Sequence, residues 1–351
     1  MAITIYDTLE PHPDFEAKAF IFDKNIPAYN LKYGRIEATI LSLGGIIQSL
    51  KVDGIDVVCG YDDVDSYLNS DGYLGALIGR YANRIRGGVI DVGGKKYDLF
   101  INDKGSNSLH GGKIGFDKRI WNGRIEDTSL ILELFSPDGD ENYPSNLYVP
   151  VTYTLTPEVL AIKYEAVSDG DTPLCLTNHA YFNLDGFESG SVLSQRLTLN
   201  CDRYTLVDEK LIPIYRDNVD GTPFDFRGGK TIGEDIDADD EQIRLGGGFD
   251  HNFFINTDAP KGLFEDKSLT LCASAEGKVK MEVYTDMPCV QLYTGNFMGG
   301  DVPLKNGAPK KNNGGFCLET QIEPNSPENG EGILRKGEKY DSTTVFRFPK
   351  Q

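Results

Sequence analysis

Histidine is scarce in this chain: there are four, His12, His110, His179 and His251, among 351 residues. Tryptophan occurs once, at Trp121. Basic residues are outnumbered 54 to 35 by acidic ones, giving a formal charge of −19 and a pI near 4.6. A surface of that sign repels phosphate backbones and anionic lipid, so neither nucleic acid nor a membrane is an expected partner. No window approaches the length of a membrane span, and the first fifteen residues carry acids and prolines where a secretion signal has a basic stretch and an apolar run. The six cysteines (Cys59, Cys175, Cys201, Cys272, Cys289, Cys317) lie far apart, mostly inside apolar runs, with no Cys-x-x-Cys pair. They read as reduced core thiols of a cytoplasmic protein, not as a disulfide framework or a zinc site. No Gly-x-Gly-x-x-Gly opens a helix and no P-loop spacing occurs. No His-Glu-x-x-His is present, so His110, His179 and His251 meet only if the fold brings them together, and no metal is expected.

Long segments with helical period are missing as well. The best short helix candidate is residues 62 to 68. What recurs instead is period two. In residues 147 to 155 the odd positions are apolar and the even ones mostly polar, and residues 159 to 166 repeat the scheme after a Thr-Pro-Glu turn. Further strands are expected at 18–22, 35–43, 46–52, 130–135, 195–201, 269–273, 278–283 and 343–348, with Gly93-Gly94 as a hairpin turn. Many short strands punctuated by turn residues, in a chain with 39 glycines, predict an all-β architecture, a sandwich or a barrel, with few short helices. Nothing resembles a linker, so residues 1–351 read as a single domain. Residues 301 to 314, rich in Gly, Pro, Asn and Lys, read as a long surface loop.

The run Thr177-Asn178-His179-Ala180-Tyr181-Phe182-Asn183-Leu184 reads as a strand whose one face enters the core while the other, with His179, lines a cleft. Histidine titrates near neutrality and is the natural proton carrier there. Five other stretches carry candidate chemistry. Residues 79 to 86 hold Arg80, Arg84 and Arg86 beside Asn83, which are either solvated strand-end charges or fixed donors for ligand oxygens. His110 precedes Gly111-Gly112, a tight turn that also lets a ligand approach. Asp250-His251 precedes an apolar strand, where an aspartate caps a turn or accepts from hydroxyls. Gln291 sits within a strand and needs a polar partner, backbone or ligand. Glu319 stands in an apolar run, where a carboxylate is costly unless paired or used. Trp121 is a core residue or, less commonly, a sugar platform.

Taken together, Asn83-Arg84, His110-Gly111-Gly112, Asn178-His179-x-Tyr181-Phe182-Asn183-Leu184, Asp250-His251, Gln291 with Tyr293-Thr294-Gly295-Asn296, and Leu318-Glu319-Thr320-Gln321 form an ordered set. In order and spacing it resembles the aldose 1-epimerase (galactose mutarotase) family, over nearly the whole chain. The resemblance implies the family's β-sandwich with an open cleft on one sheet, a free hexose such as galactose or glucose as partner, and no cofactor. It implies Glu319 as the base at the anomeric hydroxyl and His179 as the acid at the ring oxygen. Substrate would be held by Asn83, Arg84, His110, Asp250 and Gln291. That assignment asks for an ionised carboxylate and a protonated imidazole together, each favouring the other's charge if they lie near. Three alternatives stand beside it. A sugar-phosphate enzyme on the same scaffold would need extra cations, with Arg80, Arg86 and Lys113 as candidates. A sugar-binding module would have no use for an acid and base pair. A glycoside hydrolase would want a second carboxylate near Glu319, for which Asp250 is the candidate.

Overall fold

Alternation of apolar and polar residues resolves into strands over most of the chain. The computed structural model describes residues 3–6 and 14–350, so His12 lies outside the described residues. In Leu147–Leu155 the odd positions are buried, and in Val159–Ser168 Leu160, Ile162, Tyr164 and Ala166 face the same core. The two strands pair antiparallel, Val151 opposite Tyr164 and Tyr153 opposite Ile162. They lie inside an eleven-stranded sheet that also holds Ser129–Ser136, Lys339–Arg347, Lys280–Thr285 and Lys267–Glu276. One edge departs from the antiparallel expectation: Ile3–Tyr6 pairs parallel to Lys261–Phe264.

Two five-stranded sheets share the core of this large sheet. The first runs from Phe15–Ile21 to Ile55–Asp56 as a meander. The second has the order Pro213–Asn218, Cys201–Val207, Asp250–Ile255, Cys289–Tyr293, Cys317–Gln321. Leu31 and Leu50 from the first, Leu132, Val151 and Ile162 from the large sheet, and Phe253, Leu292 and Leu318 from the second belong to one apolar cluster. Each fully buried aliphatic or aromatic side chain contributes about 1.5–3 kcal/mol, so this shared face is the main source of stability. Tyr153 bridges the layers, its hydroxyl donating to the Gly45 carbonyl at 2.6 Å. Of the sandwich and the barrel that the alternation left open, the large antiparallel β-sandwich implied by the resemblance is the architecture observed.

Among the described residues there are two α-helices, both short. Val64–Leu68 falls within the expected 62–68 and is capped by Asp63, whose carboxylate accepts from the Ser66 N–H at 2.8 Å. Glu241–Gly246 was not anticipated. Its signals are Asp240 as cap and Gly247 in the left-handed conformation, but they lie in an Asp-rich run that also reads as turns. Gly93-Gly94 turns the hairpin of Val89–Val92 and Lys95–Asp98 as expected. Trp121 is a core residue, with Nε1 donating to the Phe116 carbonyl. All six cysteines are buried and free. No helix among the described residues is long and apolar enough to cross a membrane.

The run 177–184 is a correction. It is extended, but it pairs only through Thr177–Asn178 with Leu77–Ile78 and through single bridges of Phe182 to Val58 and Phe316. Backbone bonds to several different segments hold it, such as the His179 N–H to the Ala76 carbonyl and the Asn183 N–H to the Val57 carbonyl, and side-chain amides add to them: Asn178 donates to the Gly75 carbonyl at 2.8 Å and Asn183 to the Gly314 carbonyl at 3.0 Å. The expected alternation survives, because Ala180, Phe182 and Leu184 join the main core while His179 and Tyr181 line the opposite side.

Arg80 does not face the cleft. Its Nη1 donates to the Pro144 and Ser145 carbonyls and to Thr172 Oγ1, and its Nη2 to the carbonyls of Ser136 and Pro137 and to Ser136 Oγ. Burial lowers its pKa to about 10, which still leaves it charged at neutrality. Arg80→Met would strand these acceptors in a dry site. The expected loss is about 3–5 kcal/mol in denaturant-induced unfolding, and a midpoint equal to wild type would contradict it.

Candidate active site

The floor of the site follows from strand register. Asp250 lies opposite Tyr293, which lies opposite Cys317; two residues along each strand, Asn252 lies opposite Gln291, which lies opposite Glu319. These residues share one face of the sheet because side chains two apart point the same way. The intervening Phe253, Val290, Leu292 and Leu318 enter the core. His251 goes with them. It packs 4.6 Å from the Phe224 ring, and burial takes its pKa down to about 3. A three-histidine constellation therefore does not form.

His179 and His110 come from segments outside that sheet. The His179 Nε2 lies 3.6 Å from Glu319 Oε1, and its Nδ1 lies 3.4 Å from Cys317 Sγ. Tyr73 and Tyr181 stack on the His179 ring, each at an interplanar angle of 27°. His110 stands edge-on to it, ring centres 5.3 Å apart. Asn83 and His110 both have left-handed backbone, φ 65° and 52°, a conformation that costs any non-glycine residue about 1–3 kcal/mol and persists where the surroundings hold it. They brace each other, since the Asn83 N–H donates to His110 Nδ1 and the His110 N–H donates to the Asn83 carbonyl, each at 3.2 Å. Gly111 permits this approach: its φ is +91°, and a Cβ there would lie 1.9 Å from the Gly79 carbonyl oxygen.

That bracing fixes a tautomer. A backbone N–H can only donate, so His110 Nδ1 is the acceptor and the ring hydrogen sits on Nε2. Burial, the neighbouring His179 and Arg84 hold the His110 pKa well below its usual range, so it stays a neutral donor. One ligand atom from each of His110, His179 and Glu319 lies within 4.8 Å of the others, close enough for a metal ion. The donor set does not fit one, because His110 has no lone pair free at Nε2.

Arg84 donates through Nε to Asp103 Oδ2 at 2.9 Å, and its Nη1 lies 4.0 Å from Asp250 Oδ2. Gln291 donates to Asp250 Oδ1 at 2.7 Å and accepts from Gln321 at 3.4 Å. Asn83, Arg84, His110, His179, Asp250 and Glu319 all line one open cleft of about 630 Å³, a size typical of small-molecule sites. Gln291 lines a small adjoining hollow behind Asp250, so its amide orients that carboxylate. Arg86 is held by Asp208 and Glu328, and Lys113 sits over the Phe100 ring; neither lines the cleft.

Burial in the cleft runs against the expected ion pair. His179 is 5% exposed and Glu319 2%. Burial pushes the Glu319 carboxyl well above the carboxylate range; the charge of Asp250 adds to this and Arg84 opposes it. Burial likewise lowers His179 to about 4. Burial thus favours the neutral form of both groups, a carboxylic acid beside an unprotonated imidazole, while their 3.6 Å approach favours the charged ones. The neutral pair differs from the ion pair by the position of one proton, and the proton count is the same. Glu319 Oε2 is buried without a partner, a costly arrangement of the kind found where a ligand completes the bonding. Residues not singled out from the sequence also line the cleft, among them Tyr73, Asp103, Leu211 and Phe297. The Gly72-Tyr73 pair, an aromatic beside a turn residue, was the available signal for the first.

By its similarity to named epimerases this β-sandwich is, in class, an isomerase. The chain belongs to the aldose 1-epimerase family, whose model matches residues 27–347. It is 42% identical to human galactose mutarotase over 336 residues, covering 92% of this chain and 94% of that one. It is 37% identical to an Escherichia coli aldose 1-epimerase over 326 residues, 88% and 91% of the two chains. The crystal structure of a galactose 1-epimerase from Lactobacillus acidophilus superposes with a TM-score of 0.83 at 29% identity, covering 95% of this chain and 99% of that one.

Proposed function

We propose that the protein interconverts the α and β anomers of free hexoses such as galactose and glucose, by opening and reclosing the pyranose ring. The observation that carries this reading is the 3.6 Å approach of Glu319 Oε1 to His179 Nε2 in the cleft. The relatives named above support it. Glu319 takes the proton of the anomeric hydroxyl while His179 gives one to the ring oxygen, and C1 becomes the aldehyde. Rotation about C1–C2 presents the other carbonyl face, and both transfers reverse on closure. The pair ends each turnover as it began. Sugar hydroxyls donating to Glu319 favour its ionised form and move the shared proton to His179. His110, a fixed Nε2–H donor, and Arg84 stabilise charge shifting between O1 and O5. Asn83 and Asp250 hold ring hydroxyls, with Gln291 setting Asp250.

The cleft suits a neutral sugar better than a phosphorylated one. Carboxylates outnumber cations five to three among its lining residues, and Arg84 is already engaged by Asp103. Polarimetry of freshly dissolved α-galactose and α-glucose tests the proposal. Relaxation far above the buffer rate is expected. A rate equal to buffer, with sugar binding retained, would favour the binding-module reading.

Asp250→Asn separates binding from chemistry. Losing a charged hydrogen-bond partner is expected to raise KM about tenfold or more. It also removes one of the influences that keep the proton on Glu319. The alkaline limb of kcat/KM should therefore move down in pH, measured by polarimetry across pH and sugar concentration. An unchanged limb would mean Asp250 does not act on Glu319.

A further inference from the structure

Gln291 sets Asp250, and what sets Gln291 is a line of buried polar side chains running away from the cleft. Thr205, Asn252, Gln291 and Gln321 stand on four neighbouring strands of the second five-stranded sheet, each at most 3% exposed. Their hydrogen bonds form one chain. Gln291 Nε2 donates to Asp250 Oδ1 at 2.7 Å. Gln321 Nε2 donates both to Gln291 Oε1, at 3.4 Å, and to Asn252 Oδ1, at 3.0 Å. Asn252 Nδ2 donates to Thr205 Oγ1 at 3.2 Å, and that hydroxyl donates to Glu323 Oε1 at 3.2 Å. Glu323 is held in turn by Arg216, whose Nε donates to its Oε2 at 2.9 Å. Gln321 lies two residues beyond Glu319 on the same strand, and so on the same face.

The direction of every bond follows from the two ends, because a carboxylate only accepts. Asp250 takes the Gln291 nitrogen, which turns the Gln291 carbonyl oxygen away from the cleft. Glu323 takes the Thr205 hydrogen, so that hydroxyl accepts from the Asn252 nitrogen, and the Asn252 carbonyl oxygen is turned back towards Gln291. Two oxygens therefore converge on one position, and only a group with two hydrogens there satisfies both. Gln321 supplies them from a single nitrogen. Its own Oε1 is left buried without a partner, the cost of facing this way; the opposite orientation would set oxygen against two oxygens. We propose that Gln321 is a positioning residue for Asp250: by donating to Gln291 it fixes which way that amide faces, and so holds the binding carboxylate in place relative to Glu319, whose strand it shares.

The kinetic consequence rests on Asp250 holding a ring hydroxyl, as proposed above; the orientation of the amide does not. Gln321→Met keeps the length of the side chain and removes both hydrogens. It is expected to raise KM for galactose about three- to tenfold, the worth of one net hydrogen bond, with kcat within about twofold. In an Asp250→Ala background the same change should add less than about twofold, because its effect passes through the carboxylate that is gone. An equal rise in both backgrounds, a loss confined to kcat, or a wild-type KM for Gln321→Met overturns the proposal. Should the variant fail to fold, neutron diffraction from deuterated wild-type crystals decides. The two deuterons on Gln321 Nε2 should point at Gln291 Oε1 and Asn252 Oδ1, and the Gln321 oxygen in that place would overturn it. If wild type does not relax α-galactose faster than buffer, anomer interconversion falls as the function; the same pair of backgrounds, read as galactose Kd by calorimetry, and the deuteron positions still decide the role of Gln321.

Discussion

Glu319→Gln is expected to lower kcat for anomer interconversion by about a hundred- to ten-thousandfold, the usual worth of a positioned general base. The amide has the carboxyl's shape, but it cannot take the anomeric proton. Because sugars mutarotate spontaneously in water, the observed rate falls towards that of buffer, and enzyme concentration should cease to matter. A second readout separates chemistry from folding. Glu319 has a raised pKa in the folded state, so the stability it contributes is fully present below its unfolded pKa near 4.5 and is lost as pH rises through the folded value. At pH 7 the unfolded chain gains by ionising this group, and a neutral replacement removes that gain. The variant is therefore expected to be no less stable than wild type at pH 7, and more stable by about 1–2 kcal/mol, with the difference closing near pH 4. A variant with wild-type kcat would remove Glu319 from the base role.

His179→Gln is the other large effect, again about a hundredfold or more in kcat. Its signature is in the pH profile. The active pair carries one proton in total. Acid adds a second, which goes to His179 near pH 4; alkali removes the last. Wild-type kcat/KM, which reports the free enzyme, is thus expected to fall below about pH 5, while the residual activity of the variant loses this acid limb. His110 stays neutral well below its ordinary pKa and adds no limb near neutrality. Polarimetry from pH 4 to 9 measures both profiles. An acid limb that persists in the variant would assign the titration to another group.

Legibility from the sequence divides along physical lines. The sheet strands were readable because burial on one face imposes period two, as at Leu147–Leu155, where expected and observed limits coincide. Glu319 was readable because a carboxylate in an apolar run is anomalous. The helix Glu241–Gly246 was not, since six residues carry too little period to separate it from Asp-rich turns. Arg80 and Arg84 look alike in sequence, yet one is locked among carbonyls and the other reaches the cleft, a difference set by strand direction and contacts remote along the chain. Tyr73 at His179 and the backbone donor that fixes His110 depend on left-handed backbone at Tyr73, Asn83 and His110, which no local pattern announces. The charge state of the pair was expected from proximity alone; burial, invisible in a linear string, opposes it.

The two cross-strand rows on Asp250–Ile255, Cys289–Tyr293 and Cys317–Gln321 leave an imprint on how this gene can vary. Insertion or deletion of a single codon within Cys317–Gln321 would turn Leu318 outward and Glu319 into the apolar interior. Two codons would preserve the facing but misalign the partners. Length changes should therefore be absent from these three strands among functional descendants and should gather in the connection 301–314, away from anchored points such as Lys305, tied to Asp56 and to the Gln48 carbonyl, and Asn313, tied to the Thr294 carbonyl.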